Sequence, residues 1–369
     1  MTTPSRLPSG LAAGNPYRQA GRVAEGDRFI GRSDLVQLVQ ATWQEPGRPS
    51  NLRVQGYHRT GKTSLVRYAM ASTPHGRDDL LTVWLDVGDH DSGMDVFRSM
   101  IRAVMEDLQR TRENRLAGQG RTSEWAHLEA IASVVQRAEA WYDLRIAVRD
   151  FFTALAAAGR HVLVVLDEFD RAASVFNRLA EFQLLRNLAG DTPFTMGLVT
   201  ISRRDIESIE FDAAAGSTLG GILSTKQCVG LFTDDETDRM LARADSVGIA
   251  LSPVRQEIIE RTGRHPFLLE LLCRRVVENW HLTGRLDPAA AYTGEASTFE
   301  KQFGLLVRNI DADCNGHGST LLRALASGVF PDEHTRYLDQ LVLMGIASPG
   351  PDRTLLFSEA FSHYVLTAT

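Results

Sequence analysis

Eight residues near the start of the chain, Gly56-Tyr57-His58-Arg59-Thr60-Gly61-Lys62-Thr63, constrain its fold more than any other feature. They fit G-x-x-x-x-G-K-[ST], the pattern of a phosphate-binding loop. That pattern carries meaning only between a strand and a helix. Leu52-Arg53-Val54-Gln55 leads in as an alternating strand, and Ser64 to Met70 follows as a helix. A loop so placed presents successive backbone N–H groups at the positive end of a helix, a ready anion site. Gly56, Thr60, Gly61, Lys62, Thr63 and Ser64 are the candidate phosphate-binding residues. Lys62 is placed to reach the terminal phosphates and the Thr63 hydroxyl to sit on Mg2+. Lysine occurs only at positions 62, 226 and 301 among 40 basic residues. A chain that otherwise uses arginine puts lysine where this chemistry demands it.

A second signal is Val164-Val165-Leu166-Asp167-Glu168-Phe169-Asp170, an apolar strand ending in Asp-Glu, which is the Walker B pattern. Asp167 is the candidate for the Mg2+ shell at the carboxyl edge of a sheet, where ligands of α/β proteins bind. Glu168 is placed to orient or deprotonate an attacking water. Asp170 reads as a solvated turn residue. A third signal, Thr200-Ile201-Ser202-Arg203-Arg204, follows another strand. An arginine at that strand end would abut a γ-phosphate and stabilise charge in phosphoryl transfer. Arg203 is the candidate, whereas Arg204 reads as surface charge. Asp86 ends an earlier strand and reads as a turn or cap residue. His58 and His317 read as loop histidines.

Between these motifs the pattern alternates strand and helix. Strands are expected at Leu80–Val87, His161–Leu166, Phe194–Ile201 and Lys226–Phe232, with helical sequence over most of 94–158 around a break near Gly118-Gln119-Gly120. Nearly continuous apolar residues in the third strand fit a parallel sheet covered on both faces. The fold class is therefore a doubly wound α/β sheet of the P-loop NTPase kind. From Thr233 the pattern becomes helical (234–247, 253–262 and 266–281), with 282–297 reading as a connector. Residues 298–369 show short helices and two strand-like pieces, near 345–347 and 355–357, which together read as a winged helix. The domains expected are a mobile lead-in over 1–26, an α/β domain over 27–232, a helical lid and connector over 233–297, and the winged-helix-like region over 298–369.

Composition narrows the partners. The net charge is −6, so no global electrostatic drive toward nucleic acid exists. Residues 298–369 carry eight acidic against five basic side chains, a formal −3, where a DNA-reading helix needs clustered positive charge. Apolar runs fall short of the roughly 20 residues of a membrane helix, and the N-terminus lacks an apolar signal core. Cys228, Cys273 and Cys314 lie far apart without metal-ligand spacing, as in a reduced cytoplasmic protein.

These motifs together resemble the STAND-type ATPases, a branch of the AAA+ P-loop NTPases used as signalling switches. The resemblance spans roughly 15–369. Phe29-Ile30-Gly31-Arg32-Ser33-Asp34 is similar to the family's hydrophobic-hydrophobic-Gly-Arg-Glu-x-Glu segment, with Ser33 in place of the usual glutamate. In the family that segment helps wrap the base, which makes Phe29, Ile30 and Arg32 candidates. Thr200 to Arg203 resembles the family's Thr-x-Arg sensor with one extra residue. Thr262-Gly263-Arg264-His265-Pro266-Phe267-Leu268-Leu269 resembles the helical-domain motif whose proline, here Pro266, packs by the adenine, and Arg264 stands where many relatives have glycine. The resemblance implies ATP and ADP as ligands, Mg2+, slow hydrolysis and a nucleotide-driven conformational switch. It also implies nucleotide-dependent homo-oligomerisation and a separate effector or sensor protein, in a setting such as prokaryotic conflict or defence. A DNA-binding AAA+ ATPase of the origin-recognition or transposition-targeting kind is the alternative, disfavoured by the acidic C-terminal region.

Overall fold

A computed structural model describes residues 14–73, 77–115, 123–214, 216, 219–329, 335–350 and 354–367. The first 13 residues of the expected lead-in and the break around Gly118-Gln119-Gly120 lie outside them. The described strands are β1 (Leu52–Gln55), β2 (Leu80–Asp86), β3 (His161–Asp167), β4 (Met196–Ser202), β5 (Lys226–Cys228), β6 (Ala347–Pro349) and β7 (Thr354–Leu356). The helices up to β5 are α1 (Ser33–Gln44), α2 (Lys62–Ser72), α3 (Gly93–Arg115), α4 (Ser123–Arg137), α5 (Trp141–Ala157), α6 (Ala172–Val175), α7 (Leu179–Gly190) and α8 (Ile206–Ala214). Those beyond it are α9 (Asp234–Ala242), α10 (Arg255–Thr262), α11 (Pro266–Thr283), α12 (Pro288–Asp313), α13 (Gly318–Ser327), α14 (Thr335–Leu343) and α15 (Glu359–Thr367).

One compact unit comprises Ser33–Gln55 and Val66–Gln227. Its centre is a sheet in the order β2-β3-β4-β1-β5. The pairs β2–β3, β3–β4 and β4–β1 are all parallel. Every residue of β4 is buried, and so is every residue of β3 after His161. Strands flanked on both sides and covered on both faces need this unbroken apolar run. Register sets the functional edge. Asp86 pairs with Asp167, Leu166 with Thr200, and Gln55 with Ser202, so the carboxyl ends of β1 to β4 finish together. The parallel sheet and its helices form the P-loop ATPase fold.

The second unit comprises Met1–Arg32, Gly56–Leu65 and Cys228–Thr369. Its core runs through α9 to α15 and includes Tyr17, Phe267, Phe299, Phe303, Phe357 and Phe361. Three sequence expectations change here. The lead-in is docked from residue 14 onward: the Asn15 side-chain amide donates to the Arg274 carbonyl (2.9 Å), and the buried Tyr17 hydroxyl donates to the carbonyls of Met240 (2.8 Å) and Leu241 (3.0 Å). A buried phenol that finds two helix-end carbonyls offsets the entropy of holding a Gly- and Pro-rich segment. The stretch 282–297 is mostly helix, not connector. Asp287 caps α12 by accepting the Ala290 N–H (2.8 Å), and Pro288 fills the first helical position. The helix then runs through residue 297 to Asp313. Finally, β5 stops at Cys228 because its continuation is engaged otherwise: the Gly230 carbonyl accepts from Arg32, and the Phe232 N–H donates to the Arg264 carbonyl (3.0 Å). Toward the C-terminus β6 and β7 pair antiparallel, from Ala347 with Leu356 to Pro349 with Thr354.

Candidate nucleotide-binding site

The phosphate-loop residues adopt a backbone that only a few side chains tolerate. Arg59 has φ +62° and Gly61 φ +94°. A Cβ at Gly61 would meet no protein atom within 4 Å, so the space beside it is open. A Cβ at Gly56 would collide with the Val229 carbonyl and the Thr60 hydroxyl. Thr60 folds back on the loop, its hydroxyl donating to the Tyr57 carbonyl (3.0 Å), and Lys62 Nζ donates to the carbonyls of Gly56 (2.9 Å) and Tyr57 (3.0 Å). The Leu65 N–H to Gly61 carbonyl bond (2.9 Å) starts the helix. Thr63 is half-buried in its first turn.

Long-range contacts within the same unit hold this loop. The Gln302 amide donates to the His58 carbonyl (3.3 Å), and the Arg59 guanidinium lies 4.0 Å over the Phe267 ring centroid. The Ser64 hydroxyl accepts the Ala24 N–H (3.0 Å), which ties the lead-in to the start of α2 and leaves the hydroxyl proton to donate. Arg32 is 8% exposed, and its Nη2 donates to the carbonyls of Thr60 and Gly230, both at 2.9 Å. Burial pulls its pKa down to about 10, so it stays charged at neutral pH, facing Phe232 at 5.2 Å. Its backbone N–H donates to Glu236, whose other carboxylate oxygen accepts the Thr233 N–H (2.8 Å) and closes a capping box on α9. A Cβ at Gly31 (φ +62°) would be strained and would strike the Glu236 side chain. Phe29 and Ile30 are half-buried, and Ile30 packs on the core that contains Phe232. Pro266 opens α11 beside Phe267. Thus the candidates Phe29, Ile30, Arg32, Gly56, Thr60, Gly61, Lys62, Thr63, Ser64 and Pro266 all fall in one unit, with Arg32 directly on the loop. At Gly263-Arg264 both residues are left-handed (φ +56° and +63°), so the turn forms despite the arginine. Glu236 escaped the sequence reading, although Thr233-Asp234-Asp235-Glu236 is a visible capping-box pattern.

At the sheet edge of the other unit, Asp167 is 6% exposed, and its Oδ1 accepts the Glu168 N–H (2.9 Å). Glu168 is exposed and left-handed (φ +50°), a conformation that costs a β-carbon-bearing residue about 1 kcal/mol. Asp86 accepts the Gly88 N–H (2.8 Å), a turn cap. The carboxylate of Asp170 is not a solvated turn group. It accepts the backbone N–H of Arg203 (2.7 Å) and of Arg204 (3.0 Å). Arg204 itself pairs with Asp212, so its charge is spent on α8. The fully buried Thr200 hydroxyl has no hydrogen-bond partner among the described residues.

Among the described residues no group of three or more His, Cys, Asp or Glu could hold a metal ion alone. No helix among the described residues is long and apolar enough to cross a membrane.

The strand–loop–helix and the Asp-Glu strand end define a class, and comparison gives it content. Residues 28–201 match the family model described as AAA ATPase domain. Among solved structures, the chain is similar to the Walker-type ATPase PABY2304 of Pyrococcus abyssi, over 93% of its own length and 97% of the other's, with a TM-score of 0.60 at 13% identity. It is also similar to the ORC2 protein of Aeropyrum pernix in its ADPNP–ADP complexes, over 95% and 98%, with a TM-score of 0.50 at 13% identity. At such identities the likeness is one of fold. No curated protein matches the chain in sequence.

Proposed function

We propose that the protein is an ATP-binding, slowly hydrolysing molecular switch that regulates a separate effector or sensor protein. One observation carries the reading. The Gly56–Thr63 loop joins a sheet strand to a helix with left-handed Arg59 and Gly61, and space is open beside Gly61. The AAA ATPase domain match over 28–201 supports it. In this reading Gly56, Thr60, Gly61, Lys62, Thr63 and Ser64 hold the phosphates. Thr63 and Asp167 hold Mg2+, which neutralises phosphate charge. Glu168 takes the proton of the attacking water, and Arg203 stabilises charge on the transferred group. Phe29, Ile30 and Pro266 face the base. Arg32, by its bonds to Thr60 and Gly230, acts first as a brace of the loop. The STAND resemblance supports the switch role and nucleotide-dependent self-assembly. Helices α13 to α15 with the β6–β7 ladder support a winged-helix-like region, and its net acidic charge favours a protein partner over DNA.

The test combines mass in solution with phosphate release, for the parent protein and Glu168→Gln, each with ATP and Mg2+. ATP-dependent assembly with turnover lost in the variant is expected. Equal hydrolysis by Glu168→Gln would remove its catalytic role. DNA affinity falling steeply with salt would replace the protein-partner reading with the origin-recognition kind.

A further inference from the structure

We propose that Asp170 is the positioning residue that aims Arg203, by clamping the turn after β4 to the Walker B turn. The inference rests on the ATPase reading above. β4 lies between β3 and β1 in the sheet, so the turn 202–204 has a nucleotide motif at the end of the strand on either side. Each neighbour sends one side chain into it. From the β3 side, Asp170 takes the N–H of Arg203 and of Arg204, at 2.7 and 3.0 Å. From the β1 side, Gln55, 1% exposed and the last residue before the phosphate loop, donates to the Arg204 carbonyl (2.6 Å), which also accepts the Ser202 hydroxyl (2.8 Å).

A carboxylate that accepts two consecutive backbone N–H groups fixes both peptide planes at once, and these charge-assisted bonds are stronger than neutral ones. The Arg203 Cα therefore cannot swing without breaking contact with the Glu168-Phe169-Asp170 turn. Turn and arginine move as one piece. An arginine stabilises a transferring phosphoryl group only when held in place, and a 1 Å error costs about a hundredfold in rate. Asp170 itself touches no reacting atom. Its effect passes through Arg203.

The experiment is a double-mutant cycle on the full chain: Asp170→Ala, Arg203→Ala and both together, with phosphate release for kcat and KM and titration for ADP affinity. Asp170→Ala is expected to lower kcat at least about tenfold while ADP affinity stays within about twofold. The double variant should turn over no more slowly than Arg203→Ala, because the clamp has nothing left to aim. Asp170→Asn, which keeps one accepting oxygen, should fall between parent and Asp170→Ala, and it carries the test if the alanine variant fails to fold. Asp212→Ala, which frees the Arg204 side chain alone, should leave kcat unchanged. Losses that multiply in the double variant would overturn the proposal, as would parental kcat in Asp170→Asn and Asp170→Ala. If Arg203→Ala itself turns over normally, the Arg203 role and this inference fall together. An Arg203→Ala defect with normal Asp170 variants removes the inference alone.

Discussion

The sheet edge that carries Asp167, Glu168 and Arg203 and the cradle around the phosphate loop are built by different means. The edge is a product of register: parallel pairing brings Asp86, Asp167, Ser202 and Gln55 level, and short turns finish the job. Side chains there need only follow an apolar strand. The cradle is a product of side-chain reach. Arg32 meets Glu236 across 204 residues of sequence, and Gln302 meets His58 across 244. Its backbone is held in left-handed conformations at Gly31, Arg32, Arg59, Gly61, Gly263 and Arg264. Such conformations persist where surrounding contacts over-determine them. Chemistry at the edge should therefore fail without loss of fold, whereas the cradle should lose fold and affinity together.

The largest effect is expected at Lys62, where the cradle bears directly on ligand. Lys62→Ala removes the ammonium that bonds the Gly56 and Tyr57 carbonyls and that the proposed function gives to the terminal phosphates. It should weaken ATP about a thousandfold, or about 4 kcal/mol, by calorimetric titration. ATP affinity within tenfold of the parent would take the loop out of phosphate binding. Glu168→Gln tests the other side. It should leave ATP affinity intact and cut turnover about a hundredfold, the ordinary worth of a general base. A joint fall in binding and stability would mean that the edge is no more independent of folding than the cradle.

Glu236→Ala sharpens the contrast. One carboxylate serves the α9 capping box and the buried N–H of Arg32. Its loss removes a cap and strands a buried donor, together costing about 3 kcal/mol. Urea unfolding should show that loss, and ATP should bind more weakly because Arg32 no longer braces Thr60. An unchanged midpoint with weakened binding would make Glu236 a direct ligand contact rather than a brace.

The same contrast governs what could be read from sequence. Strands β1 and β3, the loop and the Asp-Glu strand end were legible because each is a local pattern: a run of apolar residues, or fixed spacing within eight positions. Helix α12 was also written locally, in Asp287-Pro288, yet the Gly- and Ala-rich stretch around it reads as a connector until that cap is weighed. The roles of Asp170 and Gln302, and the bond of Glu236 to Arg32, were not legible. Each depends on a partner 33 to 244 residues away, chosen by tertiary packing. Arg32 shows the limit most clearly, since the resemblance made it a candidate through its segment, whereas the bonds of its guanidinium to the Thr60 and Gly230 carbonyls span 28 and 198 residues.

The smallest effect expected is a pH dependence in the cradle alone. His265 is 1% exposed. It packs against Phe357, with ring centroids 6.1 Å apart, and the titratable groups facing it are His58 and Arg32. Burial, opposed by the His58 backbone and aided by the charge of Arg32, pushes its pKa down to about 3 from an ordinary 6.5. Between those values the unfolded chain binds a proton that the native protein refuses. Stability therefore falls as pH drops below the unfolded value. From pH 7 to pH 5 the histidine should cost about 2 kcal/mol of folding free energy, at about 1.4 kcal/mol per pH unit below 6.5. Urea unfolding of the parent and of His265→Gln at both pH values isolates it. The variant should lack this component of the slope even if it starts less stable, because glutamine does not titrate. Parallel slopes in the two proteins would mean that His265 opens to water before it protonates, and that the cradle is looser around α11 than its packing implies.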